Sequence, residues 1–145
     1  MDINIHEFRS NFEKFGIQYK PADNVEVEKE LIENISCYWF YKTNKKSSTG
    51  VILYLHGGCY VLGSINSHRA FVSHLARQIG ATILFIEYSL APEQPFPAAR
   101  NEVLRIYNYL VNETGIPHIS FMGDSAGGGL IASVISVLNK EKNTN

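Results

Sequence analysis

Apolar and polar positions alternate along this chain with two periods, and the period switches many times. In residues 4–15, Phe8, Phe12 and Phe15 recur at three- and four-residue spacing, which predicts an amphipathic helix stopped by Gly16. Residues 25–31 and 36–42 are rich in β-formers such as Tyr38, Trp39, Phe40 and Tyr41, and predict a hairpin around Glu33-Asn34. Residues 51–55 form an apolar strand. A helix is expected over 69–79, capped by Ser67, with Phe71, Leu75 and Ile79 aligned and Gly80 at its end. A strand follows at 82–87. Pro97 suits the first turn of a helix running to about 111, with Val103, Leu104, Tyr107 and Leu110 inward. After a loop at 112–117, residues 118–122 predict a short buried strand and 130–138 a helix. Strands alternating with helices imply parallel pairing and right-handed crossovers, hence the α/β class. No internal repeat or low-complexity stretch interrupts the pattern.

Composition narrows the classes. The chain has 145 residues, 45% hydrophobic and 19% charged, with a net charge of −1, which suits a single core of ordinary size. Near neutrality and the lack of a basic stripe argue against nucleic acid or an anionic membrane as partner. The polar run at 42–50 reads as a solvated loop. Two cysteines, Cys37 and Cys59, make neither a disulfide framework nor a CxxC site, so reduced thiols in a cytoplasmic protein are expected. Met1-Asp2-Ile3-Asn4 opens with acid and no long apolar core, so no signal peptide is expected, and no run approaches the ~18 apolar residues of a membrane span.

Chemistry concentrates at three places. The first is Gly123-Asp124-Ser125-Ala126-Gly127, a G-x-S-x-G pattern between the predicted strand at 118–122 and the helix at 130–138. A serine at a sharp strand-to-helix turn is a nucleophile elbow, and its glycines admit close approach of strand, helix and substrate. The alternatives are an ordinary glycine-rich junction or a phosphate cradle. A Walker-type cradle needs a Gly-Lys-Ser/Thr ending, and no lysine lies between Ile116 and Asn139.

The second is His56-Gly57-Gly58-Cys59-Tyr60, into which the 51–55 strand empties. Acyl transfer develops negative charge on a carbonyl oxygen, and backbone N–H groups can hold it; removing one such donor costs about 10²–10³ in rate. Candidate donors are Ala126, after the serine, and Gly57, Gly58 or Cys59 upstream.

The third is Glu87-Tyr88-Ser89-Leu90-Ala91-Pro92-Glu93, leading into Pro95-Phe96-Pro97. Together these motifs resemble the hormone-sensitive-lipase group of carboxylesterases, bacterial acetyl esterases among them, which carry HGGG, a YRLAPE-like segment and GDSAGG in this order. Ser125 stands 69 positions after His56, in keeping with that spacing. The resemblance runs from about residue 51 to about 138. It implies an α/β-hydrolase fold with a mostly parallel sheet and flanking helices, hydrolysis of a short-chain ester with Ser125 as nucleophile, and no cofactor or metal. It also implies that His56 positions the oxyanion loop rather than acting as base. Two positions depart from the pattern. Cys59 replaces the third glycine, putting a Cβ where glycine geometry is favoured, and Ser89 replaces an arginine, whose partner would be left unpaired.

The triad should continue as Ser, then Asp or Glu, then His. Of the twenty residues after Ser125, none is histidine or aspartate, and Glu141 is the one acid. Asp124 adjoins the serine but diverges from it on a tight turn. His6, His56, His68, His74 and His118 all precede it, and His68 and His74 read as surface or packing residues. The expectation is therefore an N-terminal half of an esterase. Residues 1–24 would form a cap-like helical arm and 25–145 half of the hydrolase domain. The strand at 118–122 would lie at an exposed sheet edge, open to a C-terminal half or to self-association. The alternative is a non-catalytic hydrolase fragment acting as an interaction module.

Overall fold

The computed structural model describes residues 4–142; Met1–Ile3 of the arm and Asn143–Asn145 of the polar ending lie outside them. Strands β1 (Val25–Ile32) and β2 (Ile35–Lys42) form the expected hairpin, with Ile32 facing Ile35. Glu33 and Asn34 carry φ of 51° and 62°. Two positive φ values in a two-residue loop match the twist of the flanking strands. Strands β3 (Gly50–Leu55), β4 (Ile83–Ile86) and β5 (His118–Gly123) complete a sheet of order β1-β2-β4-β3-β5. β3 pairs in parallel with both β4 and β5, while β2 runs antiparallel to β1 and β4. Four of the five strands thus point the same way, and β5 lies at an edge.

Strand alternation sends side chains to two cores. On one face Leu53, Leu55, Leu84, Ile86 and Trp39 meet helices α3 (Ala98–Tyr109) and α4 (Ala126–Lys142) through Val103, Ile106, Leu130 and Val134. On the other, Phe40, Tyr54, Ile83 and Phe85 meet helix α2 (Ile65–Ile79) through Val72 and Ala76. The chain leaves α3 through a π-helical turn, Leu110–Thr114, ended by Gly115 at φ 66°.

Three helices differ from the expected pattern. α2 begins earlier: Ser64 is its cap and its amide donates to Ser67 Oγ, which closes a capping box. Its buried stripe is His68, Val72 and Ala76, while Phe71 and Ile79 are exposed. The smaller side chains bring the helix close to the sheet, and the larger ones cannot. α4 starts directly after Ser125, because Gly127 and Gly128 donate to the Asp124 and Ser125 carbonyls and wind the turn into the helix.

The third is α1 (Ile5–Ile17), capped by Asn4, which buries no residue. Of the expected inner face Phe8, Phe12 and Phe15, Phe8 and Phe15 are exposed, and Phe12 alone is half-buried, its ring 6.3 Å from that of His68. Beside Phe12 the docking contacts of the helix are polar. Glu13 accepts from Ser64 Oγ and Asn66 Nδ2, and Gly16 lies so close to the Ser67 backbone that a methyl group would overlap it.

Candidate active site

β3 and β5 are neighbours in register, with Leu55 opposite Gly123, so the two glycine-rich segments leave the sheet side by side. At the end of β5 Ser125 has φ 49°, left-handed for an L-residue, and is exposed. Conformations of this kind cost of order 1–3 kcal/mol and persist only where the surroundings impose them. Here the surroundings are backbone. A Cβ on Gly123 would stand 2.5 Å from the Leu55 carbonyl oxygen, and one on Gly127 would overlap that same oxygen. Only glycine at both positions lets β5 and α4 close on the end of β3, which explains the first and last letters of the motif. Among the described residues Ser125 Oγ forms no hydrogen bond, and the Ala126 amide, at the first position of α4, donates to none.

The loop after β3 is strained too. Gly58, Cys59 and Tyr60 have φ of 124°, 56° and 63°. The cysteine at the family's third glycine therefore occupies glycine geometry, as its position implied. The Val61 and Leu62 amides donate to the Gly58 carbonyl at 3.0 and 2.8 Å, closing the turn. Gly57 must be struck from the available donors, because its amide donates to Asp124 Oδ1 at 3.0 Å. The Gly58 and Cys59 amides have no acceptor among the described residues and remain free. Asp124 turns away from its neighbour Ser125 and accepts from Tyr54 Oη at 2.7 Å as well, so its carboxylate ties the elbow to the loop.

His56 is fully buried, between the ring of Tyr88 at 4.3 Å and that of Phe85 at 5.4 Å, both nearly parallel to it. Its Nδ1 lies 2.7 Å from the Gly57 carbonyl oxygen, which can only accept, so Nδ1 carries the proton. Burial pushes the imidazole down to about 4, leaving it neutral, and Nε2 has no hydrogen-bond partner. Tyr88 Oη donates to the His56 carbonyl, and Gly63, at φ 98°, packs so tightly that a methyl group would overlap His56 Nδ1. His68 is buried beside it, its Nδ1 2.8 Å from Ser67 Oγ and its Nε2 3.7 Å from Asp124 Oδ1. Burial is the main influence and lowers its pKa as well. The other histidines lie elsewhere: His74 Nε2 meets the Lys20 carbonyl, His118 starts β5 at the far end from Ser125, and His6 is on α1.

Ser89 leaves no orphaned acid: its amide and hydroxyl both donate to Glu102, at 2.7 and 2.6 Å. A mainly apolar cleft of about 380 Å³ opens beside Cys59, lined by Tyr60, Ala91, Phe96, Leu130 and Ser133 among others; Ser125 is outside its lining. Among the described residues no helix is long and apolar enough to cross a membrane. Sequence reasoning missed Tyr54, Gly63 and the supporting role of Asp124. A glycine just before the Ser64 cap was the one visible hint, since a residue forced to φ 98° must lack a side chain.

A sheet clad by helices on both faces, with a left-handed serine at a strand-to-helix turn beside a glycine-rich loop, is the arrangement of the α/β-hydrolases. A family model described as α/β hydrolase fold matches residues 52–145. The chain belongs to that family, in its group of hormone-sensitive-lipase-like esterases. Over 89 residues it is 44% identical to an acetyl-hydrolase of Streptomyces hygroscopicus, covering 60% of this chain and 29% of that protein. Over 92 residues it is 38% identical to the hormone-sensitive lipase of Bos taurus, covering 60% of this chain and 12% of that one. The crystal structure of an esterase/lipase from an uncultured bacterium superposes with a TM-score of 0.87 at 36% identity, over 98% of this chain and 48% of that one. An esterase of the bacterial hormone-sensitive lipase family gives 0.88 at 33% identity, over 97% and 47%. The chain thus spans about half of these structures and less than a third of the Streptomyces relative.

Proposed function

We propose that this chain carries the nucleophile and oxyanion half of a carboxylesterase site for short-chain acyl esters. The observation that carries the reading is Ser125, left-handed and exposed at the β5–α4 turn, beside three amides with no acceptor among the described residues. Ser125 Oγ attacks the ester carbonyl, and the Ala126, Gly58 and Cys59 amides receive the charge that develops on its oxygen. The alcohol leaves, and water releases the acid. His56, neutral and clamped, positions the loop and has no free proton-accepting path to the serine through its Nδ1, which already donates to Gly57. The apolar cleft beside Cys59 supports a small alkyl or acyl group as substrate.

Activation of the serine is the open half of the site. A hydroxyl is a weak nucleophile without an adjacent base, and no histidine hydrogen-bonds Ser125 among the described residues. The 145-residue chain by itself should therefore show negligible turnover of p-nitrophenyl acetate, at most the ~10³–10⁴-fold over water that oxyanion stabilisation and binding supply. Fusion to a C-terminal half bearing Asp and His should restore turnover that Ser125→Ala abolishes. A folded fusion with no Ser125-dependent turnover would sink the esterase reading. Brisk turnover by the chain alone, lost in Ser125→Ala, would instead assign the base to an upstream histidine.

The Ser125 hydroxyl and the β5 edge, both without a partner among the described residues, also support a second reading, a non-catalytic module that associates through that edge. Concentration-dependent dimerisation, with no gain of turnover in the fusion, would favour it.

A further inference from the structure

α1 does something for the oxyanion loop that neither the motifs nor the triad describes. Its polar face runs along the outside of residues 61–67. Arg9 meets Val61, Glu13 meets Ser64 and Asn66, and Gly16 meets Ser67, each about one turn further along the helix. The Arg9 guanidinium makes four hydrogen bonds from its three nitrogens. Its Nε donates to the Val61 carbonyl at 2.7 Å and its Nη2 to the Ala91 carbonyl at 2.9 Å. Its two terminal nitrogens also make a bidentate pair with Glu93, both bonds at 2.7 Å. The Ala91 amide in turn donates to the Tyr60 carbonyl at 2.9 Å. The result is a closed ring of contacts: Arg9 to Val61, Tyr60 to Ala91, and Ala91 back to Arg9. The two left-handed L-residues, Cys59 and Tyr60, lie immediately before Val61.

Left-handed backbone is disfavoured for each of these residues by roughly tenfold, so the loop needs a constraint beyond its own turn. We propose that Arg9 is a positioning residue for the oxyanion loop, and that α1 acts as a splint holding Cys59 and Tyr60 left-handed through the Val61 and Ala91 carbonyls. Arginine is required because its planar fork reaches two loops and a carboxylate at once, whereas a lysine is a single point charge. The inference rests on the reading of residues 57–59 as the oxyanion loop.

Hydrogen–deuterium exchange on the 145-residue chain tests it, with Arg9→Ala, Arg9→Lys and Glu93→Gln beside the wild type. The reporters are the Val61 and Leu62 amides, bonded to Gly58, and the Ala91 amide, bonded to Tyr60. In Arg9→Ala they exchange about tenfold faster or more, while β3 and β4 keep their protection. Arg9→Lys gives nearly the same acceleration. Glu93→Gln, which leaves both carbonyl bonds in place, changes exchange by less than about fivefold. Unchanged protection of these amides in Arg9→Ala overturns the proposal, as does full rescue by lysine; if Arg9→Ala is too unstable to handle, Arg9→Lys decides alone. A fluorophosphonate probe read by intact mass, applied to the fusion that supplies Asp and His with Arg9 or Arg9→Ala, separates this inference from the reading beneath it. Ser125-dependent labelling slowed in Arg9→Ala supports the proposal, and labelling that Arg9→Ala leaves unchanged counts against it. Failure of the fusion with Arg9 to label overturns the nucleophile instead, and the exchange data then decide the role of Arg9.

Discussion

The elbow at Ser125 and the loop at Cys59 and Tyr60 both hold L-residues left-handed, yet they are held by different means. The elbow is framed by backbone close at hand. Gly123 and Gly127 admit the Leu55 carbonyl, and the Gly127 and Gly128 amides close onto the turn itself. The loop has one internal turn, at Gly58, and otherwise leans on groups far away in sequence. Tyr88 is 32 positions from the carbonyl it binds, Arg9 is 52 from Val61, and Asp124 is 67 from Gly57. Strain framed by neighbouring glycines is robust to surface changes but intolerant of a single methyl. Strain held by distant side chains can be loosened piece by piece.

The comparison breaks most sharply at Gly127. Gly127→Ala drives a methyl group into the Leu55 carbonyl and should cost about 3 kcal/mol or more, read from the urea midpoint. Gly128→Ala, one position on, meets nothing within 4 Å and sits inside a helix, so it should change stability by less than about 1 kcal/mol, in the stabilising direction. Equal effects would show that the elbow is not framed by backbone contact.

A pH series sharpens the loop side. His56 is held at about 4 in the folded chain against an ordinary 6.5, chiefly by burial. As pH falls the unfolded chain therefore takes up the proton first, and stability drops. The contribution is whole above about 6.5 and is lost on the way down to about 4, by about 3 kcal/mol at most. His56→Gln should decline less steeply across that window in urea unfolding; identical slopes would place the pH dependence elsewhere. Glu93 has the carboxylate sign and a lower window. Its hydrogen bonds from Arg9 hold it at about 2, so its share is lost between the ordinary carboxylate range and that value.

Asp124 offers the smallest effect and the finest cut. Asp124→Ala strands the Tyr54 hydroxyl and the Gly57 amide and should cost about 2 kcal/mol. Asp124→Asn keeps an oxygen able to accept both and should cost less than half of that, in the same unfolding measurement. If asparagine is as damaging as alanine, the negative charge rather than the acceptor joins elbow to loop.

The order of elements, the hairpin at Glu33-Asn34 and the glycine-framed elbow were legible in the sequence, because each depends on residues within a few positions of one another. Periodicity was a weaker guide to which side of a helix faces inward. In α2 the spacing Phe71, Leu75, Ile79 and the spacing His68, Val72, Ala76 repeat equally well, and only the closeness of the sheet selects the smaller set. In α1 the phenylalanines mark an apolar stripe, but only Phe12 of them meets the body, at His68, and Arg9 and Glu13 make the hydrogen bonds, because much of what lies beneath the helix is a loop of polar backbone rather than a core.

The sequence by itself determined the α/β class, the family and the three motifs. The tertiary structure alone decided that Gly57 spends its amide on Asp124, that His56 is buried and neutral, and that Arg9 joins two loops. A turn is a local minimum that a few side chains can specify. A hydrogen-bond partner or a shifted pKa is a property of contact and burial, and those exist only once distant segments have met.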